Sequence, residues 1–259
     1  MDTLRRGASS VLAGLLSWPL HTRSVPSLTT FNNVGFSSTS AADLIRELLL
    51  PRNEAFTLEQ LSAEYEERAR VLDARYRDCS LAYPQDWAAG AGLSFLIYSM
   101  VRLLQPATVI ETGVANGHSS YFLLNAILEN RHGTLHSIDI ASDVGSLLSP
   151  AERSNWQLHR MPANSNFAEN FSNLLKTLPA IDLFVQDSDH WYGWVRYELE
   201  TVFERLAEGA MIVADDVDSS FAFLDFCSNQ NLKPAFLVTS FRVHGFARNT
   251  GVGNGDFHR

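Results

Sequence analysis

The sequence predicts an α/β fold: a mostly parallel sheet of seven strands that ends in an antiparallel hairpin and carries a helical cap at its N-terminal side. Three observations predict it. From Ala107 onward, short apolar runs alternate with segments of helical periodicity. The first run leads into the stretch from Val109 to Ser119, where Glu111 closes a strand and Gly113 and Gly117 precede a helix start. The last two runs are joined by a tight turn around Ser240, so they pair antiparallel.

The elements follow in order. Residues 1–40 are rich in Ser, Thr, Asn and Pro and read as irregular. Ala41–Leu50 reads as a short helix stopped by Pro51. The next helix begins with a capping box of Thr57 and Gln60, with Phe56 placed to staple against Leu61. Leu58, Leu61, Tyr65, Ala69, Leu72 and Tyr76 then recur at helical spacing, a stripe made for packing rather than for a ligand. Asp86–Leu104 reads as a third helix lying against the sheet. Strands are predicted at Thr108–Glu111, Thr134–Asp139, Trp156–Arg160, Ile181–Gln186, Ala210–Ala214, Ala235–Thr239 and Arg242–Arg248, with helices at Gly117–Glu129, Ser165–Thr177, His190–Ala207 and Ser219–Gln230. Residues 1–84 are read as an irregular segment and helical cap, and residues 85–259 as a Rossmann-like domain.

Composition bounds the chemistry. A chain of 259 residues that is 46% hydrophobic can bury one sizeable core. The net charge of −9 argues against a nucleic-acid-binding surface. That charge sits in the body, because residues 1–42 carry Arg5, Arg6 and Arg23 against Asp2 alone. Cys79 and Cys227 lack metal-ligand spacing and are too few for a disulfide framework. No apolar run is long enough to span a membrane. Val11–Leu20, broken by Pro19, faintly resembles a targeting peptide; a cytoplasmic protein in which this segment is flexible or covers the site is the preferred reading. The reading leaves room for a homo-oligomer.

In an open α/β sheet, ligands gather at the carboxyl ends of the strands. The first strand end supplies Glu111 and the Gly113–Gly117 loop, where missing side chains let backbone approach a nucleotide and a carboxylate can accept ribose hydroxyls. The second supplies Asp139, which can hold both hydroxyls of an adenosine ribose or, more plainly, cap a turn. The third is followed by Asn164, within reach of an adenine edge. The fourth ends in Asp187, His190 and Trp191, the fifth in Asp215 and Asp216. Asp187, Asp215 and Asp216 would repel one another without a cation; oxygen ligands with open water positions suit Mg²⁺. Asp189 and Asp218 are expected to cap or face solvent instead. An imidazole titrates near neutral pH, so His190 can accept a proton from a hydroxyl. Trp191 can stack on adenine or serve as rim packing. His118, inside the glycine loop, is expected to point outward.

These residues carry a resemblance. Glu111, Gly113, Ala115 and Gly117 match the first motif of class I S-adenosylmethionine-dependent O-methyltransferases, with alanine in place of the middle glycine. Ser119, two residues past the last glycine, recurs in the metal-dependent catechol type. Asp139 matches the ribose ligand, and Asp187 through Trp191 followed by Asp215 and Asp216 resembles the metal motifs, most closely those of macrocin- and mycinamicin-type sugar O-methyltransferases. The resemblance covers roughly residues 85 to 250. It implies S-adenosylmethionine over Glu111–Gly117 beside Ser119, Asp139, Asn164, Asp187 and Trp191; Mg²⁺ on Asp187, Asp215 and Asp216; and His190 as the base. The implied acceptor is a hydroxyl of a small natural product, a glycoside or a diol.

Two other readings use the same residues. A cephalosporin hydroxylase-like enzyme would keep the fold and change the reaction, and a nucleotide-binding subunit would have no need of His190 or the acids. A nicotinamide dehydrogenase is disfavoured by the terminal hairpin and by the lack of a Gly-x-Gly-x-x-Gly loop.

Overall fold

A computed structural model describes residues 25–50, 55–164 and 166–251. Val11–Leu20 lies outside the described residues. In chain order the elements are α1 (Leu28–Val34), β1 (Phe36–Ser38), α2 (Ala41–Leu48), α3 (Leu58–Asp78), α4 (Ala91–Leu104), β2 (Thr108–Thr112), α5 (His118–Asn130), β3 (Thr134–Asp139), β4 (Trp156–Arg160), α6 (Phe167–Thr177), β5 (Ile181–Gln186), α7 (Tyr192–Phe203), β6 (Leu206–Ala214), α8 (Ala222–Asn229), β7 (Ala235–Val238) and β8 (Val243–Arg248). One sheet holds all the described strands in the order β1-β7-β8-β6-β5-β2-β3-β4. Only β8 runs against its neighbours β6 and β7; the remaining pairs are parallel. Among the described residues, no helix is long and apolar enough to cross a membrane.

The seven predicted strands are all present. An eighth, β1, pairs in parallel with β7 and comes from the segment read as irregular. Its neighbour α1 is closed by a capping box of Ser27 and Thr30, a signal hidden among Ser and Thr residues that also fill loops. Phe31 anchors it, with its ring 4.8 Å from that of Phe236 on β7. The predicted helix over Asp86–Leu104 is broken: a short 3₁₀ turn covers Gln85–Trp87, Ala88 is extended, and Gly90 caps α4. The predicted Thr57 and Gln60 capping box on α3 is formed in both directions.

Strand periodicity builds two cores. Val109, Leu135, Leu183, Val185, Met211 and Val213 face α2, α3, α4 and α5. Ile110, Ile138, Phe184, Ile212 and Ala214, their alternating neighbours, face α1, α6, α7 and α8. Leu61 and Leu72 of α3 are buried in the first core and Tyr65, Ala69 and Tyr76 pack against it, as the helical stripe predicts. Every residue of β2 is buried, as expected for an inner strand covered on both faces.

A half-buried ion pair ties α3 to the segment between β3 and β4. Arg75 donates two hydrogen bonds to Glu152, at 2.7 and 2.9 Å, and a third to the Leu147 carbonyl at 2.7 Å. Burial pushes Glu152 upward, but Arg75 and Ser149 outweigh it and hold its titration below the usual carboxylate range. Arg75→Ala leaves this carboxylate without its cation and costs about 2–4 kcal/mol, read as a loss in denaturant midpoint. Because the native carboxyl titrates low, the cost is full at neutral pH and fades as pH falls through its native titration. An unchanged midpoint at pH 7 would contradict this role.

Candidate functional site

The site is assembled by hydrogen bonds that continue the parallel ladder beyond the strand ends. Asp187 N donates to the Thr112 carbonyl and Asp215 N to the Gln186 carbonyl, both at 2.9 Å. Gly113 N donates to the Ile138 carbonyl at 3.0 Å. Residues far apart in the chain are thereby set side by side at the tips of β2, β5 and β6.

The glycine loop leaves β2 at Gly113, whose φ is +83°. A Cβ there would lie 1.9 Å from the Asp187 carbonyl oxygen, so the position demands glycine on both conformational and steric grounds. Gly117, at φ +88°, opens α5. Ala115, where the motif ordinarily carries glycine, also adopts a left-handed conformation, at φ +47°. Asn116 pins the loop from below. Its Oδ1 accepts from Ala82 N and Tyr83 N at 3.2 and 3.1 Å, and its Nδ2 donates to the Tyr83 carbonyl at 2.8 Å. Sequence reasoning passed over Asn116; a buried asparagine inside a glycine loop is the signal it offered.

Glu111 is not at the surface. It is fully buried, and its carboxylate accepts from Ser119 and Ser120 at 2.6 Å and from Ser137 at 2.7 Å. Burial raises its titration, against the pull of the three hydroxyls. The expectation that it meets ribose hydroxyls is corrected. Its oxygens are spent joining β2, β3 and the first turn of α5, so it positions the loop, and Ser119 is its partner. Asp139, half-buried at the end of β3, accepts from Val114 N at 2.9 Å and from Ala141 N at 2.8 Å, which holds the far side of the same loop. Asn164 is exposed, and its side chain accepts from Asn166 N ahead of α6. Trp191 is partly exposed at the start of α7, with its ring folded over Gly193.

His118 does not point outward. It is half-buried and held between Tyr76 Oη, 2.9 Å from Nδ1, and Ser94 Oγ, 3.0 Å from Nε2. Burial lowers its titration to about 4, so it is a neutral strut between α3, α4 and α5.

The carboxylates do converge, around Asp215, in a manner the sequence reading did not anticipate. Ligand-competent atoms of Asp187, His190 and Asp215 lie within 4.8 Å of one another, and so do those of Asp215, Asp216 and His244. Among the described residues, Asp187, Asp215 and Asp216 do not meet this measure as a trio; Asp215 is shared between two groups, each completed by a histidine. Burial and the neighbouring Asp215 push Asp187 well above its ordinary range. Asp215 is held at about 2: burial opposes its ionisation, but the hydrogen bond and charge of His244 prevail. Asp216, raised by burial and by Asp215, stands at a left-handed φ of +46°. His190 Nε2 lies 3.8 Å from Asp216 Oδ2. Asp189 and Asp218 take the capping roles expected of them, accepting from Trp191 N at 3.0 Å and Val243 N at 3.1 Å.

Two residues of the terminal hairpin went unseen. His244 hydrogen-bonds Asp215 through Nδ1. Arg242 places Nη1 3.7 Å from Asp215 Oδ2 and Nε 3.5 Å from Asp216 Oδ1. No motif spacing links positions 242–244 to the acids; only the insertion of β8 between β6 and β7 brings them there. Beside them, a groove of about 560 Å³ runs between Asp86, Ala88 and Gly90 on one wall and Phe241, Arg242 and His244 on the other. That is the size of a small-molecule site.

Residues 110–217 match the family model of a methyltransferase domain. No curated protein matches the chain in sequence. Among solved structures, the chain is similar to the O-methyltransferase TomG from Streptomyces achromogenes, involved in Tomaymycin synthesis and solved with SAM, at 17% identity and a TM-score of 0.55, covering 82% of this chain and 97% of that one. It is also similar to an O-methyltransferase from Bacillus cereus in complex with SAH, at 13% identity and a TM-score of 0.51, covering 81% and 96%. Residues 110–217 thus match a methyltransferase domain, and the fold is that of these SAM- and SAH-bound O-methyltransferase structures, as the resemblance drawn from the sequence implies.

Gly113→Ala costs roughly 3 kcal/mol or more in stability, because backbone strain and a carbonyl clash add; Ala115→Gly changes it by less than about 1 kcal/mol. Chemical denaturation of both variants reads this, and a harmless Gly113→Ala would contradict the contact with Asp187. Asp187→Asn removes a repelled carboxylate and raises the metal-free melting temperature by about 2–4 °C. The gain shrinks as pH falls, because the native wild-type carboxyl then holds its proton. A lowered melting temperature at neutral pH would contradict the repulsion.

Proposed function

We propose that this methyltransferase domain transfers a methyl group from S-adenosylmethionine to a hydroxyl of a small natural product, such as a glycoside or a diol, with the help of a divalent cation. The single observation that carries the reading is the meeting of Asp187, His190 and Asp215 beside Gly113, with Asp215 shared by a second group that holds Asp216 and His244.

The residues fit a hard divalent cation such as Mg²⁺. They are oxygen-rich, they include two carboxyls, Asp187 and Asp216, disfavoured in their charged form by burial and by Asp215, and they leave His190 Nδ1 and Asp216 Oδ1 buried without a hydrogen-bond partner. Asp187 and Asp215 would hold the ion, with Asp216 completing the set. When bound, a divalent cation supplies positive charge that favours the ionised form of an acceptor hydroxyl, and the sulfonium donor brings a methyl group that is already activated.

The chain's own part is placement and proton removal. Gly113, Ala115 and Gly117 present bare backbone to the donor, held from behind by Glu111, Ser119 and Asp139. Asp139 retains free lone pairs for the ribose hydroxyls, and Trp191 and Asn164 stand at the adenosine end. The groove beside Arg242 and His244 admits the acceptor to the cluster. His190 is the base: its Nδ1 is buried without a protein partner, a place that an acceptor hydroxyl entering the cluster would fill. The same geometry admits His190 as a metal ligand, because it groups with Asp187 and Asp215. A chain built only to bind a nucleotide would gain nothing from this buried, charged arrangement, which burdens stability.

Calorimetry tests the reading. S-adenosylhomocysteine binds with or without Mg²⁺, and EDTA abolishes turnover of a hydroxyl acceptor without abolishing that binding. His190→Ala lowers the transfer rate by about 10²–10⁴-fold while Mg²⁺ affinity stays the same. Loss of Mg²⁺ affinity in this variant would make His190 a ligand instead of the base. Binding of NADH in place of S-adenosylhomocysteine would overturn the whole reading.

A further inference from the structure

We propose that Arg242 is a resident counter-ion that competes with the divalent cation for Asp215 and Asp216, and that its displacement links cation entry to opening of the acceptor groove. The inference rests on the metal-dependent reading above.

The guanidinium faces the very oxygens a cation would need. Asp215 Oδ1 is committed to His244, so Oδ2 is the oxygen left for a ligand bond, and Arg242 Nη1 stands 3.7 Å from it. Asp216 Oδ1 has no hydrogen-bond partner and lies 3.5 Å from Arg242 Nε. Both separations are ion-pair distances beyond ordinary hydrogen-bond length. The arginine neutralises the cluster without saturating it. Mg²⁺ sits about 2.1 Å from its oxygen ligands. Bound to either of these atoms, it would lie within roughly 6 Å of the guanidinium, in a partly buried site where like charges are poorly screened. The two cations therefore oppose each other, and each weakens the hold of the other by the same factor.

The third contact of Arg242 gives this competition a consequence. Its Nη2 donates to the Asp86 carbonyl at 3.0 Å, across the groove and beside Trp87. The arginine thus straps the hairpin turn to the 3₁₀ turn of the opposite wall. The turn that carries it is itself well held: Thr239 N donates to the Arg242 carbonyl at 2.9 Å, and Arg242 N donates to Thr239 Oγ1 at 3.1 Å. Movement is therefore assigned to the side chain, 30% exposed and free to turn toward solvent, rather than to the backbone. When the guanidinium leaves the carboxylates, the strap to Asp86 goes with it.

Mn²⁺ titrated calorimetrically into the full-length protein, Arg242→Met and Arg242→Lys tests the competition at low ionic strength. The Met variant binds Mn²⁺ about tenfold tighter or more than the wild type, and the Lys variant stays within about threefold of it. Equal or weaker binding by the Met variant, or tightening by the Lys variant to the same degree, would overturn the inference while leaving the metal site standing. Absence of Mn²⁺ binding in all three proteins would instead remove the metal-dependent reading. A second measurement needs no change at Arg242: Mn²⁺ changes the Trp87 contribution to the fluorescence, taken as wild type minus Trp87→Phe, whatever it does to Trp191 beside His190. A wild type that binds Mn²⁺ with no Trp87-dependent change contradicts the strap.

Discussion

The contact between Gly113 and the Asp187 carbonyl is the constraint on which this site depends. Two strand ends, β2 and β5, approach so closely that no side chain fits between them. One of these ends turns into the glycine loop; the other delivers the first carboxylate of the acidic cluster. Because the ladder continues from Thr112 to Asp187 and from Gln186 to Asp215, loop and cluster share one rigid wall. A donor in the loop and a nucleophile at the cluster then need no domain motion to meet.

Charge is distributed around that wall in two layers. Behind the loop, Glu111 is buried but fully served by three serines, a network that fixes geometry at the cost of desolvation. In front, the cluster is underserved. Asp187 is pushed toward its protonated form, Asp215 is secured by His244, and Asp216 is held in a left-handed backbone with one oxygen unpartnered. Strain and unmet hydrogen bonding gathered at one place are what a functional site looks like when its ligand supplies the missing partner.

Much of this was legible in the chain itself. All seven predicted strands formed, because short apolar runs are a local property and mark strands whose two faces are both covered. Asp187, Asp215 and Asp216 could be foreseen near one another from adjacency of strand ends alone. What the residues could not disclose depends on contacts remote in sequence. β1 exists because β7 offers it an edge and Phe31 finds Phe236. Glu111 looks like a ligand contact until Ser120 and Ser137 are seen to surround it. His118 looks exposed in a loop motif, yet α3 and α4 close over it. His244 and Arg242 carry no motif, and reach the acids only through the order of strands at the sheet's far edge.

The most direct test of the central claim, that donor loop and acidic cluster form one site, is paramagnetic relaxation of a bound donor. S-adenosylmethionine carrying a ¹³C-methyl group would be bound to the protein and its methyl resonance followed as Mn²⁺ is added. The account predicts strong broadening of that resonance in the wild type, and none in a variant carrying Asp187→Asn and Asp215→Asn. A sharp methyl signal in wild-type protein saturated with both donor and Mn²⁺ would place the two apart and contradict it.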